Sequence, residues 1–449
     1  MFAFCWYLIN RVYDRLMHQL LLGAYAAVIS FIINIDSSVD MPDDSLDAKE
    51  VMQVLGIKQQ TLYAYASRGL LRRTSAQHSK RSLYAREDVE RMLARRMERD
   101  APTTDGVSAV ALFPGGISSA ITEITPEGPR YRGRDARALA VHPGCLENVA
   151  ELLWTGVLVD DAVAWEFDPI HPNMEAVISA LQEGSTHVPI LRVMSAASIV
   201  LGDSAATELR SGNTLRLARR LVNTYAGCLA HLRSPGRFVR PKEGESIASL
   251  ALRALGAKPA PATLAALNAM LVICADHELS PATYAARVVA STGAGLHACL
   301  IAAIGGHSGH VLGGGCDRLE DFFSTRQPPA RLRQMAAAAA RGELNLPGFG
   351  SALYPRGDPR AKLLLDLAAG LAAPKSLSDI HLLVDVAQSE SGLPVSLEVG
   401  LVALARALGL PTRSASALWA VGRSVGWVAH VMEQRLSGSL IRPRARRRV

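Results

Sequence analysis

From about residue 107 onward, apolar residues recur three and four positions apart, and the runs are cut by glycine and proline. That spacing is the signature of helices with one buried face. It predicts helices over 146–156, 173–182, 213–232, 262–273, 281–304, 328–341, 359–372, 398–409 and 414–436. Period-two alternation is scarce, and the strand signals lie near "YRGRD" (131–135). No repeat period stands out. The pattern predicts a mostly α-helical domain over 107–449.

Residues 46–99 follow a different plan. A short helix over Ala48–Leu55 is followed by a tight turn at Gly56-Ile57, and a second helix over Gln59–Arg68 is stopped by Gly69. "LLRRTSAQHSKRSLY" then fits a two-strand wing with a polar tip at Ser75–Ser79, and a third helix begins near Ala85. Glu87 and Asp88 fall in its first turn, where they oppose the helix dipole. Helix, turn, helix and wing is the winged helix-turn-helix arrangement. "DAPTTDG" (100–106) reads as a linker.

The first forty residues contain the uncharged run "LLLGAYAAVISFIINI" (20–35), preceded by Arg11 and Arg15. It is shorter than the roughly 20 residues of a membrane-spanning helix, and no small-residue cleavage site follows. Residues 1–40 are read as an extension ahead of an internal start at Met41, outside the fold. A membrane tether and a packed extra helix are the alternatives.

Composition sharpens the picture in two places. Six cysteines (Cys5, Cys145, Cys228, Cys274, Cys299, Cys316) are scattered without a CxxC pair. They suit buried thiols in a reducing, cytoplasmic compartment better than disulfides or a zinc site. The net charge of +7 is concentrated in residues 68–99, where Lys and Arg outnumber Asp and Glu ten to four, and in the tail "RPRARRR". The basic stretch favours duplex DNA as a partner of the small module; use in dimer contacts or packing is the bland alternative. The module resembles the MerR/excisionase-like family. By that resemblance Gln59, Gln60, Thr61 and Tyr63 face bases, while Arg72, Arg73, Lys80 and Arg81 meet phosphates.

Five segments of the long helical region carry a second resemblance. They are "YRGRDARALA" (131–140), "CADHELSPATYAARVVASTGA" (274–294), "SGHVLGGG" (308–315), "GFGSALYPRGDPRA" (348–361) and "GRSVGWVAHVMEQRLSGSLIRPR" (422–444). Their order and spacing resemble the citrate synthase family, in a bacterial branch that carries a helix-turn-helix module. The resemblance implies a large and a small helical domain, the small one over about 325–418, in a homodimer. It also implies oxaloacetate or a related dicarboxylate and an acyl-CoA as ligands, with no separate cofactor and no metal.

Residue by residue, His277, Arg360, Arg423 and Arg442 match the groups that hold oxaloacetate, with Arg442 reaching across from a second subunit. Arginine's planar fork suits a carboxylate. The catalytic positions depart from the family pattern. Leu312 and Ser351 stand where the family has histidines, and Glu398 stands where it has an aspartate base. His310, two residues before Leu312, is the candidate substitute donor. His307 and His310 lack further ligands for a metal, and without a following Lys-Ser/Thr the glycines of "GGHSGHVLGGG" form a close-packed turn rather than a phosphate loop. Two functions follow: an enzyme condensing acetyl-CoA with oxaloacetate to citrate and CoA, or a DNA-binding regulator that senses a dicarboxylate or acyl-CoA.

Overall fold

The structure is a computed structural model that describes residues 45–55, 57–67, 71–75, 82–86, 88, 89, 92, 117–141, 145–166, 168–182, 188–202, 205–309, 312–325, 327–350, 353–372 and 374–442. Residues 1–40, the wing tip with Lys80 and Arg81, the linker 100–106, His310 and Ser351 lie outside the described residues.

The small module forms from its local signals. Asp47 accepts from the amides of Lys49 (2.8 Å) and Glu50 (2.9 Å), and Glu50 accepts from the Asp47 amide (2.6 Å). This reciprocal box starts the helix Ala48–Leu55. The Gln59–Ser67 helix follows, then strands Arg73–Ser75 and Ser82–Ala85, antiparallel with Arg73 opposite Tyr84. Val51, Leu55, Leu62, Leu71, Tyr84 and Val89 are buried between them. Asp88 makes a contact that was not expected from the sequence. It is buried and accepts from the Arg72 amide (2.8 Å) and Nε (2.9 Å), bracing the wing.

The long helical body opens with a three-stranded meander: Thr122–Thr125, Gly128–Tyr131 and Arg134–Asp135. At its centre runs the 24-residue helix Ser414–Ser437, buried along almost its whole length. Alanine, glycine, serine and valine occupy all its faces, so neighbours approach from every side. The helices Leu146–Thr155, Pro261–Cys274, Pro281–Ala290, Leu296–His307 and Gly313–Ser324 pack against it. Gly422 is one reason. A Cβ there would meet the Leu271 carbonyl and Cys274 Cβ.

Most of the periodic segments form helices close to their expected bounds. The single helix expected over 281–304 is two, Pro281–Ala290 and Leu296–His307. The break falls in "STGAG", where Gly293 adopts φ +81°. Helices Ile190–Leu201, Ile247–Leu255 and Gly313–Ser324 were not expected from the pattern. The last begins with three glycines, poor helix formers. The packing requires them: a Cβ on Gly313 would meet the His307 ring, and one on Gly314 the Gly309 carbonyl. No helix among the described residues is long and apolar enough to cross a membrane.

Candidate active site

The site begins where the Pro261–Cys274 helix ends. Tyr131 Oη, fully buried, lies 3.1 Å from the carbonyl oxygens of Val272, Ile273 and Asp276, and accepts from the Asp276 amide. This ties the meander to the turn that carries His277. Asp276 accepts from the Glu278 amide (3.1 Å) and pairs with His430 Nε2 (3.2 Å). Glu278 is held at φ +55°, an unusual conformation for a residue with a side chain. Burial opposes the Asp276 charge, but His430 and Arg423 hold its carboxyl below the ordinary value.

Two buried arginines face this turn. Arg423, on the central helix, donates through Nε to the Cys274 carbonyl (2.8 Å). Arg360 sits in the first turn of the Pro359–Leu371 helix, whose N-cap is Asp358. Asp358 holds the guanidinium through Nε (3.0 Å) and Nη2 (2.7 Å). The remaining Nη1 of Arg360 is buried and makes no hydrogen bond. The guanidinium lies 5.7 Å from the centre of the Tyr354 ring, and Tyr354 Oη is 2.9 Å from His277 Nε2. Burial, then the charges of Arg360 and Arg423, push the His277 pKa well below 6.5, so the ring is neutral.

A second part presents the positions expected to carry catalysis. Gly348 and Gly350 adopt φ +83° and +87°, and the turn they form is stitched to the segment before Glu398. Gly350 donates to the Pro394 carbonyl (2.8 Å), and Ser396 donates to the Gly348 carbonyl (2.9 Å). Glu398 lies in the first turn of the Leu397–Ala407 helix. Its Oε1 would be 3.0 Å from a Cβ on Gly315, so the glycine gives the carboxylate room. Burial raises the Glu398 pKa; its own backbone amide and Arg360 partly offset this. Leu312 precedes the Gly313–Ser324 helix, half-buried against the core, with an apolar side chain that donates nothing.

The structure thus brings His277, Arg360 and Arg423 together, with Glu398 within electrostatic reach of Arg360. Arg442 is exposed beyond the central helix, and none of the contacts described for this cluster includes it. Sequence reasoning missed Tyr354, Asp358 and Asp276. Each stands within six residues of Arg360 or His277, which was the available signal.

Residues 115–444 match the family description "Citrate synthase, C-terminal domain". The chain belongs to the citrate synthase family. Citrate synthase 2 of Bacillus subtilis (strain 168) is 30% identical over 360 residues, covering 76% of this chain and 95% of that protein. A putative citrate synthase 2 of Mycobacterium tuberculosis (strain H37Rv) is 32% identical, covering 78% and 92%. The 2-methylcitrate synthase of Shewanella oneidensis is 24% identical, covering 77% and 95%. Among solved structures, the Thermoplasma acidophilum citrate synthase in complex with carboxymethyl coenzyme A and oxaloacetate superposes with a TM-score of 0.62. It is 22% identical and covers 76% of this chain and 96% of that one, a likeness of fold.

Residues 45–97 match a second family description, "Helix-turn-helix domain". On its second helix Gln59, Gln60 and Tyr63 are exposed, with Gln59 Nε2 donating to Tyr63 Oη (3.0 Å), while Thr61 is half-buried. Arg72 and Arg73 are exposed on the wing. Arg72 is already held by Asp88, and Arg73 Nε donates to Ser82 Oγ (2.9 Å).

Proposed function

We propose that this protein binds oxaloacetate, or a close dicarboxylate, through Arg360, Arg423 and His277, and condenses it with acetyl-CoA slowly. The observation that carries the reading is the unused Arg360 Nη1, a buried donor beside a second buried guanidinium and a neutral imidazole. A buried donor left without a partner is costly, and a carboxylate relieves it. Arg442 of a second copy completes the clamp in a homodimer. The family's substrates are acetyl-CoA and oxaloacetate, and its reaction needs no cofactor.

In that reaction a carboxylate removes a methyl proton from acetyl-CoA, and donors stabilise charge on the enol and carbonyl oxygens. Glu398 is the base here, and its raised pKa makes it a better proton acceptor. Leu312 and Ser351 supply no imidazole. Losing one such donor lowers turnover by about 100- to 1000-fold. Mixing purified protein with acetyl-CoA and oxaloacetate and following thiol release tests the reading. Slow release is expected, rising by orders of magnitude when Leu312→His, Ser351→His and Glu398→Asp are combined. Fast release by the unaltered protein, at ordinary enzyme rates of about 10 per second, would sink the assignment of these positions.

A second reading, a ligand-sensing regulator of transcription, is favoured by one connection. Arg86, from the helix-turn-helix match, pairs with buried Glu151 (3.3 Å) in the helical body. Glu151 also accepts from Trp165 Nε1 (3.2 Å), Trp165 stacks on Trp154 at 5.5 Å, and Trp154 Nε1 donates to the Val425 carbonyl (2.9 Å), two residues from Arg423. The test is a mobility shift with DNA upstream of its own gene. Retardation that weakens steeply with salt and changes with oxaloacetate supports regulation. No retardation at low salt removes it.

A further inference from the structure

We infer that Tyr354 donates a hydrogen bond to the keto oxygen of the bound dicarboxylate, taking the task for which the Ser351 position carries no imidazole. The inference rests on the clamp reading and adds to it a hydroxyl and a ligand preference.

Tyr354 follows the glycine–aromatic–glycine turn by four residues and is 3% exposed. Its ring is tilted 52° against His277 at 5.7 Å, and the Arg360 guanidinium lies over it. The hydroxyl lies 2.9 Å from His277 Nε2, and the guanidinium over its ring is the one that carries the unused Arg360 Nη1. Arginines are suited to the carboxylates of the ligand; a keto oxygen calls for a neutral donor. A phenol at this place reaches across a ring length into the clamp, whereas a serine hydroxyl stands one bond beyond Cβ. Burial pushes the Tyr354 pKa up to about 12, with Arg360 opposing, so the hydroxyl keeps its proton at neutral pH. Without ligand, His277 Nε2 and Tyr354 Oη are hydrogen-bonded to each other. With ligand, the hydroxyl turns to the keto group, and a saturated dicarboxylate offers it nothing.

The full-length protein and its Tyr354→Phe variant are titrated calorimetrically with oxaloacetate and with succinate, which has both carboxylates and no keto group. Phenylalanine keeps the ring beneath Arg360, and the thermal midpoint of the free variant checks its fold. The unaltered protein should prefer oxaloacetate, and Tyr354→Phe should bind oxaloacetate about tenfold more weakly while succinate binding is unchanged. The carbonyl resonance of [2-13C]oxaloacetate should shift downfield on binding and lose most of that displacement in the variant. Equal weakening of both ligands, or an undiminished keto preference, overturns the inference and leaves the clamp standing. Binding of neither ligand by the unaltered protein overturns the clamp and this inference together.

Discussion

Gly426 of the central helix sits against Asp276, so that a methyl group at 426 would overlap the Asp276 carboxylate and the Ala275 carbonyl. The Gly426 amide donates to that carbonyl at 2.9 Å. The helix that carries Arg423 and the turn that carries His277 are therefore in backbone contact.

Gly426→Ala should destabilise the fold by about 1–3 kcal/mol through overpacking and weaken dicarboxylate binding by displacing the His277 turn. Gly305→Ala is the control, because nothing lies within 4 Å of an added Cβ there. It should be neutral or stabilise the Leu296–His307 helix by up to about 1 kcal/mol. Chemical denaturation of both variants separates close packing from helix propensity.

Glu151 is buried among Arg86, Arg219 and Trp165, with Arg219 Nη2 at 2.9 Å and Arg86 Nη1 at 3.3 Å. Glu151→Gln takes one buried carboxylate away from two largely buried guanidiniums, a loss of about 3–5 kcal/mol. Arg86→Met should be milder, since Arg219 still pairs with the carboxylate. If urea unfolding of Glu151→Gln matched the unaltered protein, this junction would carry no stability.

The clamp makes a binding prediction free of any catalytic step. Millimolar oxaloacetate should raise the melting temperature, and Arg360→Ala and Arg423→Ala should each abolish the rise. Arg360→Ala should also lower the baseline melting temperature, because Asp358 would be left buried beside an empty space. A shift that survives in either variant would place the ligand elsewhere.

Stability should depend on pH through His307. It is buried edge-on to Trp419 and Trp427, and burial lowers its pKa from 6.5 to about 3. Below pH 6.5 the unfolded chain takes up a proton that the folded chain refuses. Its contribution is complete above pH 6.5 and falls by about 1.4 kcal/mol per unit as pH drops toward 3. His307→Asn removes that slope whatever it does to overall stability. Parallel curves for the two proteins between pH 6.5 and 5 would refute the assignment.

What was legible in the sequence follows the range of the interactions. The Ala48–Leu55 helix could be read because its apolar residues recur at helical spacing within one short segment. His277, Arg360 and Arg423 could be read because motifs surround them. Their orientation could not, since it depends on Tyr354 lying 77 residues from His277 and on the Cys274 carbonyl 149 residues from Arg423. The resemblance marked Arg72 as a phosphate contact, but its bond to Asp88, 16 residues on, could not be read from local pattern. The glycine-led helix at 313 escaped propensity altogether: its glycines answer to His307, Gly309 and Glu398, which only the folded chain brings near.

The stitching of Gly348 and Gly350 to Pro394 and Ser396 makes the loop before Ser351 and the helix start at Glu398 one mechanical part. Its geometry is carried by main-chain bonds and two left-handed glycines, none of which depends on the side chain displayed at 398. A substitution at 398 therefore exchanges the group that the frame presents without removing any bond that holds the frame together.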